Sequence, residues 1–204
     1  MLNRAWRNLA LFACLLAFSF PRLAQGQQKL GPAYKVGIAF RSFVPKEPYN
    51  WRGAKTQALL TTVWYPAASS AVEKPVQVPG MSQLFVTGRA AQDAGLAPSP
   101  AKFPLIVLSH GTGGSALQMA WLGHELAAHG YIAAAINHPG NNGTEAYTAL
   151  GFSTWWERAR DLSTVIDNML SDSTFGGPKD SAALMYRWQW GGPRRDPRED
   201  RGPG

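Results

Sequence analysis

Residues 105–108, Leu-Ile-Val-Leu, form an apolar run with no polar alternation, as expected of a strand covered on both faces in a parallel sheet. A helix with readable ends follows. Ser115 and Gln118 form a Ser-x-x-Gln capping box, Met119, Leu122 and Leu126 make an apolar stripe, and Gly130 stands as the stop. Residues 131–136 then read as another buried strand, so the stretch is a βαβ unit with an expected right-handed crossover. Upstream, residues 34–43 and 58–65 are β-rich runs joined by a Pro/Gly/Asn-containing connection, which predicts an antiparallel pair at a sheet edge, ended by Pro66. Residues 66–102 are rich in Ala, Pro and Ser with one apolar knot at 81–86, and read as a long surface insertion of the kind that roofs a site. After a loop at 138–143, a second helix is expected from near Thr154, with a Thr-x-x-Glu capping box to Glu157 and a buried stripe of Leu162, Val165, Ile166 and Met169. Apolar periodicity fades beyond Phe175, and residues 176–204, rich in Gly, Pro and Arg, are expected to be disordered or aberrant.

The chain has 204 residues, 45% of them apolar, with eight tryptophans, enough for one globular domain. Its first 26 residues stand apart. Arg4 and Arg7 precede an apolar stretch at 9–20, then Pro21 and the small-residue pattern Ala24-Gln25-Gly26; this reads as a secretory signal cleaved after Gly26 and places the mature chain outside the cytoplasm, secreted or periplasmic. The stretch falls short of the ~20 residues that span a bilayer, so no stable membrane span is expected after cleavage. Cys14, the single cysteine, lies inside this leader, and a mature chain from 27 onward would carry none. The net charge of +7 invites a polyanion partner until it is divided: the leader holds three arginines and no acid, and residues 27–186 carry twelve bases against ten acids. A balance of +2 is too small to steer nucleic acid, which is not expected as a partner.

Candidate chemistry gathers at 103–114, FPLIVLSHGTGG. Amides freed by a glycine-rich turn at the mouth of a buried strand are the donors that hold a developing oxyanion. Nowhere in the 204 residues, however, is there a Gly-x-Ser-x-Gly to carry a nucleophile. Ser115 and Ser153 read as capping or turn residues. His110 and His138 follow neighbouring strands and would lie close together, either as loop-ordering hydrogen-bond partners or as a metal pair lacking a third ligand. His124 and His129, five apart on one helix, do not share a face. Asp161 and Asp167 fall on the second helix, and Asp161 is expected to pair locally with Arg158 or Arg160. Trp155 and Trp156 read as buried packing, with a pocket wall as the other use.

With FPLIVLSHGTGG, the helix ending ELAAHGY, the strand ending INHPGN and the helix WWERARDLSTVIDNML, residues 34–175 resemble the N-terminal half of exported α/β-hydrolases, the bacterial dienelactone-hydrolase-like proteins related to platelet-activating-factor acetylhydrolase. The resemblance implies an α/β fold: a mostly parallel sheet with an antiparallel N-terminal hairpin, here incomplete, with the strands after the second core helix missing. The domain would occupy 27–175, with its insertion at 66–102. It further implies that Thr112 and Gly113 supply oxyanion-hole backbone amides, while nucleophile, acid and base are missing from this chain. By the same likeness the substrate is a small-molecule ester, with no cofactor and no metal, and the chain by itself is expected to be inactive. Residues 175–180 still look like the loop that precedes the family's next strand, and from 185 the pattern is lost, as an out-of-frame or otherwise truncated end would produce. The edge of the strand at 105–108 would then be bare. Two alternatives stand beside this: a non-catalytic extracytoplasmic binding or interaction module, and a metal-dependent hydrolase using His110 and His138.

Overall fold

The computed structural model describes residues 34–45, 47–77 and 86–175, and the backbone of 179–182. The expected signal at 1–26 and most of the tail beyond 175 lie outside the described residues. Seven strands, β1 (Lys35–Phe43), β2 (Leu59–Ala67), β3 (Lys74–Gln77), β4 (Val86–Gln92), β5 (Pro104–Ser109), β6 (Ile132–Ile136) and β7 (Lys179–Ala182), form one mixed sheet in the order β3-β4-β1-β2-β6-β5-β7. The expected hairpin is present, with β1 antiparallel to β2 from the Lys35/Ala67 pair to Phe43/Leu59. β5 and β6 run parallel from Leu105/Ile132 to Ser109/Ile136.

Because successive side chains of a strand point to opposite faces, the apolar run in β5 feeds two cores. Leu105 and Val107 pack with Val63, Ile132 and Ile136 against Leu162, Val165 and Met169 of helix α3 (Arg158–Ser171). Ile106 and Leu108 pack with Trp64, Ala133 and Ala135 against Ala120 and Ala127 of helix α1 (Ala120–Ala128). Helices on both faces explain why β5 and β6 show no polar alternation.

Five expectations are corrected. The insertion at 66–102 contains β3 and β4, an antiparallel pair, and β4 runs parallel to β1, so the N-terminal hairpin is interior and not at the sheet edge. Backbone pairing needs no apolar alternation. The insertion is also pinned by charge: the Glu73 carboxylate accepts from the Val36 amide at 2.8 Å and from Lys35 Nζ at 3.4 Å. Pro66 does not end β2, since its carbonyl accepts from the Ala97 amide at 2.8 Å. A strand residue's N and C=O share one flank, so the missing proline N–H faces away from β1 and costs the hairpin nothing.

The helix stripe is the third. Ala120, Gly123 and Ala127 are buried, whereas Leu122 and Leu126 are only partly so, because Trp64 fills the space: a Cβ on Gly123 would stand 2.3 Å from its ring. Gly130 does terminate the turn, at φ +87°. Neither capping box forms. Ser115 sits at the head of a 3-10 turn, Ala116–Met119, without a side-chain cap bond, and the Thr154 hydroxyl donates backwards to the Leu150 carbonyl at 2.6 Å. The capping hydroxyl is that of Thr148, which accepts from the Gly151 amide at 2.9 Å and opens the short helix α2 (Ala149–Ser153). Fifth, a strand does follow the second core helix: β7 runs parallel to β5, pairing Pro104 with Lys179 and Ile106 with Ala182. The edge at 105–108 is therefore partly covered, and the disorder expected for 176–204 does not extend to 179–182.

Candidate functional site

Parallel β5 and β6 release their chains side by side, so the loops after Ser109 and Ile136 meet. The helix α3 crosses beneath them and brings Asp161 into contact. The Ser109 hydroxyl donates to His138 Nε2 at 2.8 Å, and His138 Nδ1 donates to Asp161 Oδ2 at 2.7 Å. The partners set this tautomer, because a carboxylate only accepts. Arg52 Nη2 meets both Asp161 oxygens, at 3.0 and 2.8 Å, and the Tyr49 hydroxyl donates to Oδ1. Arg52 reaches this place from a left-handed backbone, φ 56°, with its Nε donating to the Pro139 carbonyl at 3.1 Å.

Water is excluded here: Asp161 and His138 are 0% exposed, Arg52 2%. Burial raises the Asp161 carboxyl, but hydrogen bonds and charge from His138 and Arg52 outweigh it and leave the pKa below the ordinary value. Burial holds His138 below its usual value, and Arg158 and Arg52 push the same way against the pull of Asp161. His110 is lowered to about 3 by burial and by His138, against its bond to Gly111. Burial and then Asp161 raise the Tyr49 hydroxyl.

Serine, histidine and aspartate thus have the connectivity of a catalytic triad. The connectivity is not enough. Ser109 is 8% exposed and His138 not at all, so an acyl group has no approach, and nearby arginines disfavour the imidazolium that proton transfer would create. This relay is an anchor that ties β5, β6, α3 and the loop at 49–52 together beneath the site.

Above it lies the glycine-rich turn. Gly113, at φ +71°, and Gly114 reverse the chain, and the Gly114 amide bonds to the Gly111 carbonyl at 3.1 Å. Thr112 is exposed, and among the described residues no hydrogen bond takes up its amide. Gly113 is a correction: its amide donates to Asn141 Oδ1 at 3.0 Å and is not open to an oxyanion in this arrangement. Asn141 does this because its own Nδ2 is fixed to the Gly151 carbonyl at 3.0 Å. Arg158 is a second correction. It donates to the His110 carbonyl at 2.9 Å and holds the turn, while Asp161 pairs with distant Arg52.

His110 and His138 do meet, rings edge to face at 5.1 Å. His110 Nε2 accepts from the His138 amide at 3.3 Å and Nδ1 bonds to the Gly111 carbonyl at 2.6 Å. With both His138 nitrogens also engaged, the pair offers no lone pair to a metal, and among the described residues no group of three or more His, Cys, Asp or Glu gathers. Among the described residues neither the Ser115 nor the Ser153 hydroxyl meets a histidine. Trp155 and Trp156, expected in the interior, are 60% and 58% exposed. A crevice of about 410 Å³ lined by Val44, Tyr49, Arg160 and Asp167 includes none of the turn residues.

Sequence reasoning missed Ser109, Arg52 and Tyr49. One signal was legible: Asp161 lies four and eight residues before Val165 and Met169, on the buried stripe itself, and a carboxylate there requires a buried cation.

Residues 59–151 match the family described as platelet-activating factor acetylhydrolase, isoform II. Among solved structures, a ferulic acid esterase from Streptomyces cinnamoneus is similar, with a TM-score of 0.57 and 22% identity, over 79% of this chain and 54% of that one. This chain therefore spans about half the length of that esterase. No curated protein matches it. The family match covers less than half of the 204 residues, and the likeness to the esterase is one of fold over the covered part.

Proposed function

We propose that the chain carries the oxyanion side of an exported, dienelactone-hydrolase-like hydrolase of small-molecule carboxylic esters, with Thr112 as the backbone donor. The observation that carries this reading is the amide of exposed Thr112, which no hydrogen bond takes up among the described residues, at the carboxyl end of β5 in a turn held by Arg158, Asn141 and the Gly114–Gly111 bond. Such a donor stabilises the tetrahedral oxyanion without reorganising as charge develops. Export rests on the leader at 1–26, and among the described residues no helix is long and apolar enough to cross a membrane. A serine attacks the ester, a histidine moves its proton, and an acid orients the histidine. We assign that serine to a Gly-x-Ser-x-Gly elbow outside these 204 residues, since none stands within them and the relay at His138 is closed to substrate.

The test has two stages. Reading the coding DNA past Asp180 in the other two frames should reveal an apolar run followed by Gly-x-Ser-x-Gly. In the protein so restored, Thr112→Pro should lower kcat by about 10²–10³-fold, the usual worth of one oxyanion donor. The 204-residue chain alone should not hydrolyse p-nitrophenyl acetate faster than its own Thr112→Pro variant; turnover above that control would refute the assignment.

A further inference from the structure

The buried anchor and the open amide are joined by one side chain. His110 is 2% exposed, and its ring is engaged at both nitrogens. Nε2 accepts from the His138 amide at 3.3 Å, and Nδ1 meets the Gly111 carbonyl at 2.6 Å. An amide N–H only donates and a carbonyl only accepts, so these partners select one neutral tautomer, with the proton on Nδ1. Burial and the neighbouring His138 lower the ring's pKa to about 3, which keeps it in that neutral form at ordinary pH. The bond on Gly111 is not what holds the path of the turn. Arg158 donates to the His110 carbonyl at 2.9 Å, Asn141 Oδ1 accepts from the Gly113 amide at 3.0 Å, and the Gly114 carbonyl accepts from the Gly143 amide at 2.8 Å.

What the bond does fix is a direction. The Gly111 carbonyl and the Thr112 N–H belong to one planar trans peptide, in which they point opposite ways. Gly111 O accepts from His110 Nδ1 and from the Gly114 amide at 3.1 Å, so the Thr112 N–H is aimed away from both donors. Gly111 has no Cβ to restrain the rotation of this plane, which leaves the two hydrogen bonds to set it. They also act on its charge: a carbonyl that accepts twice is polarised, and the N–H of the same peptide becomes a stronger donor. We propose that His110 is a positioning residue for the oxyanion donor: through the Gly111–Thr112 peptide it sets where the Thr112 amide points and how strongly it donates. This inference rests on Thr112 being that donor. It gives the closed relay a role, since the His138 amide holds the ring of His110 and the ring in turn holds the peptide.

Titration of the full chain with phenylphosphonate, whose tetrahedral oxygens stand in for the oxyanion, tests this by amide NMR. His110→Leu keeps bulk but loses the donor; it should weaken binding about tenfold, the worth of one hydrogen bond, and move the Thr112 amide resonance. His110→Asn, whose carboxamide N–H can take the place of Nδ1, should restore most of both. Both variants lose the Nε2 acceptor, so the difference between them isolates the bond to Gly111. Equal losses in the two, or none in His110→Leu, overturn the positioning role. The unaltered ring gives a reading that needs no variant to fold: its nitrogen spectrum should show a protonated Nδ1 and a bare Nε2 between about pH 5 and 8, and the opposite tautomer overturns the proposal. Thr112→Pro separates the two readings. Phenylphosphonate that does not bind, or that ignores Thr112→Pro, sinks the Thr112 assignment and this inference with it, whereas binding that needs Thr112 but not the His110 donor sinks the positioning role alone.

Discussion

Asp161 occupies a helix position that a leucine would fill by pattern, and it stays ionised there because Arg52, His138 and Tyr49 together replace its water. Removing one member of such a group leaves the others buried without a partner, which is far worse than removing both. Asp161→Ala should therefore lower stability by about 3–5 kcal/mol in urea denaturation. The Arg52→Met/Asp161→Leu double variant should recover much of that loss; simple additivity of the two single changes would mean the pair is not coupled. The histidines set a pH dependence with a definite sign. His110 and His138 are held neutral, with pKa values below those of the unfolded chain, so unfolding takes up protons that the fold refuses. Their contribution is complete above pH ~6.5 and is lost as pH falls toward about 3 for His110, at up to ~1.4 kcal/mol per pH unit for each histidine. Asp161, whose folded pKa is also depressed, adds stability in the same sense but only from more acidic pH. Thermal melts between pH 7 and 5 should show a shallower slope in His110→Asn, and an unchanged slope would remove His110 from this account. None of these partners was legible from spacing, because Arg52 and Asp161 are 109 residues apart and only the fold brings them into contact.

At the scale of elements, β5, β6 and the helix pair were readable from apolar period, since burial on both faces leaves its mark on composition directly. The face of α1 was not. The stripe of Met119, Leu122 and Leu126 is the stronger hydrophobic signal, but the bulk of Trp64 selects the small residues at 120, 123 and 127. Gly123→Ala should cost about 1–3 kcal/mol by overpacking this contact, and Trp64→Phe in the same background should return part of it in the chemical melt. Thr148→Ala removes the one side-chain cap of α2; the expected loss is about 1 kcal/mol, typical of a cap. The effect should be local. Hydrogen exchange at Gly151 should accelerate while β5 and β6 amides keep their protection, and a uniform rise across the domain would show that α2 does not open separately.

Across the whole molecule, the sheet is asymmetric. One side is extended past the hairpin by β3 and β4, and the other ends on the four residues of β7 against β5. An uncovered edge on an apolar strand pairs with other chains, so ending the chain before Lys179 should raise light scattering at micromolar concentration relative to the full chain. Equal monodispersity of the two would mean that β7 does not guard the edge. The likeness to esterases likewise belongs to this scale: 22% identity is too little to carry a residue's role, and what is shared is the arrangement of strands. From the sequence alone came the βαβ unit, the hairpin, the glycine turn and the esterase likeness, because burial period, turn chemistry and local motifs are written in neighbouring residues. Tertiary structure alone decided which amide of the turn stays open, which carboxylate is buried with which cation, and that Trp155 and Trp156 lie outside the core, because each depends on contacts between segments far apart in the chain, and spacing along a sequence does not encode distance in space.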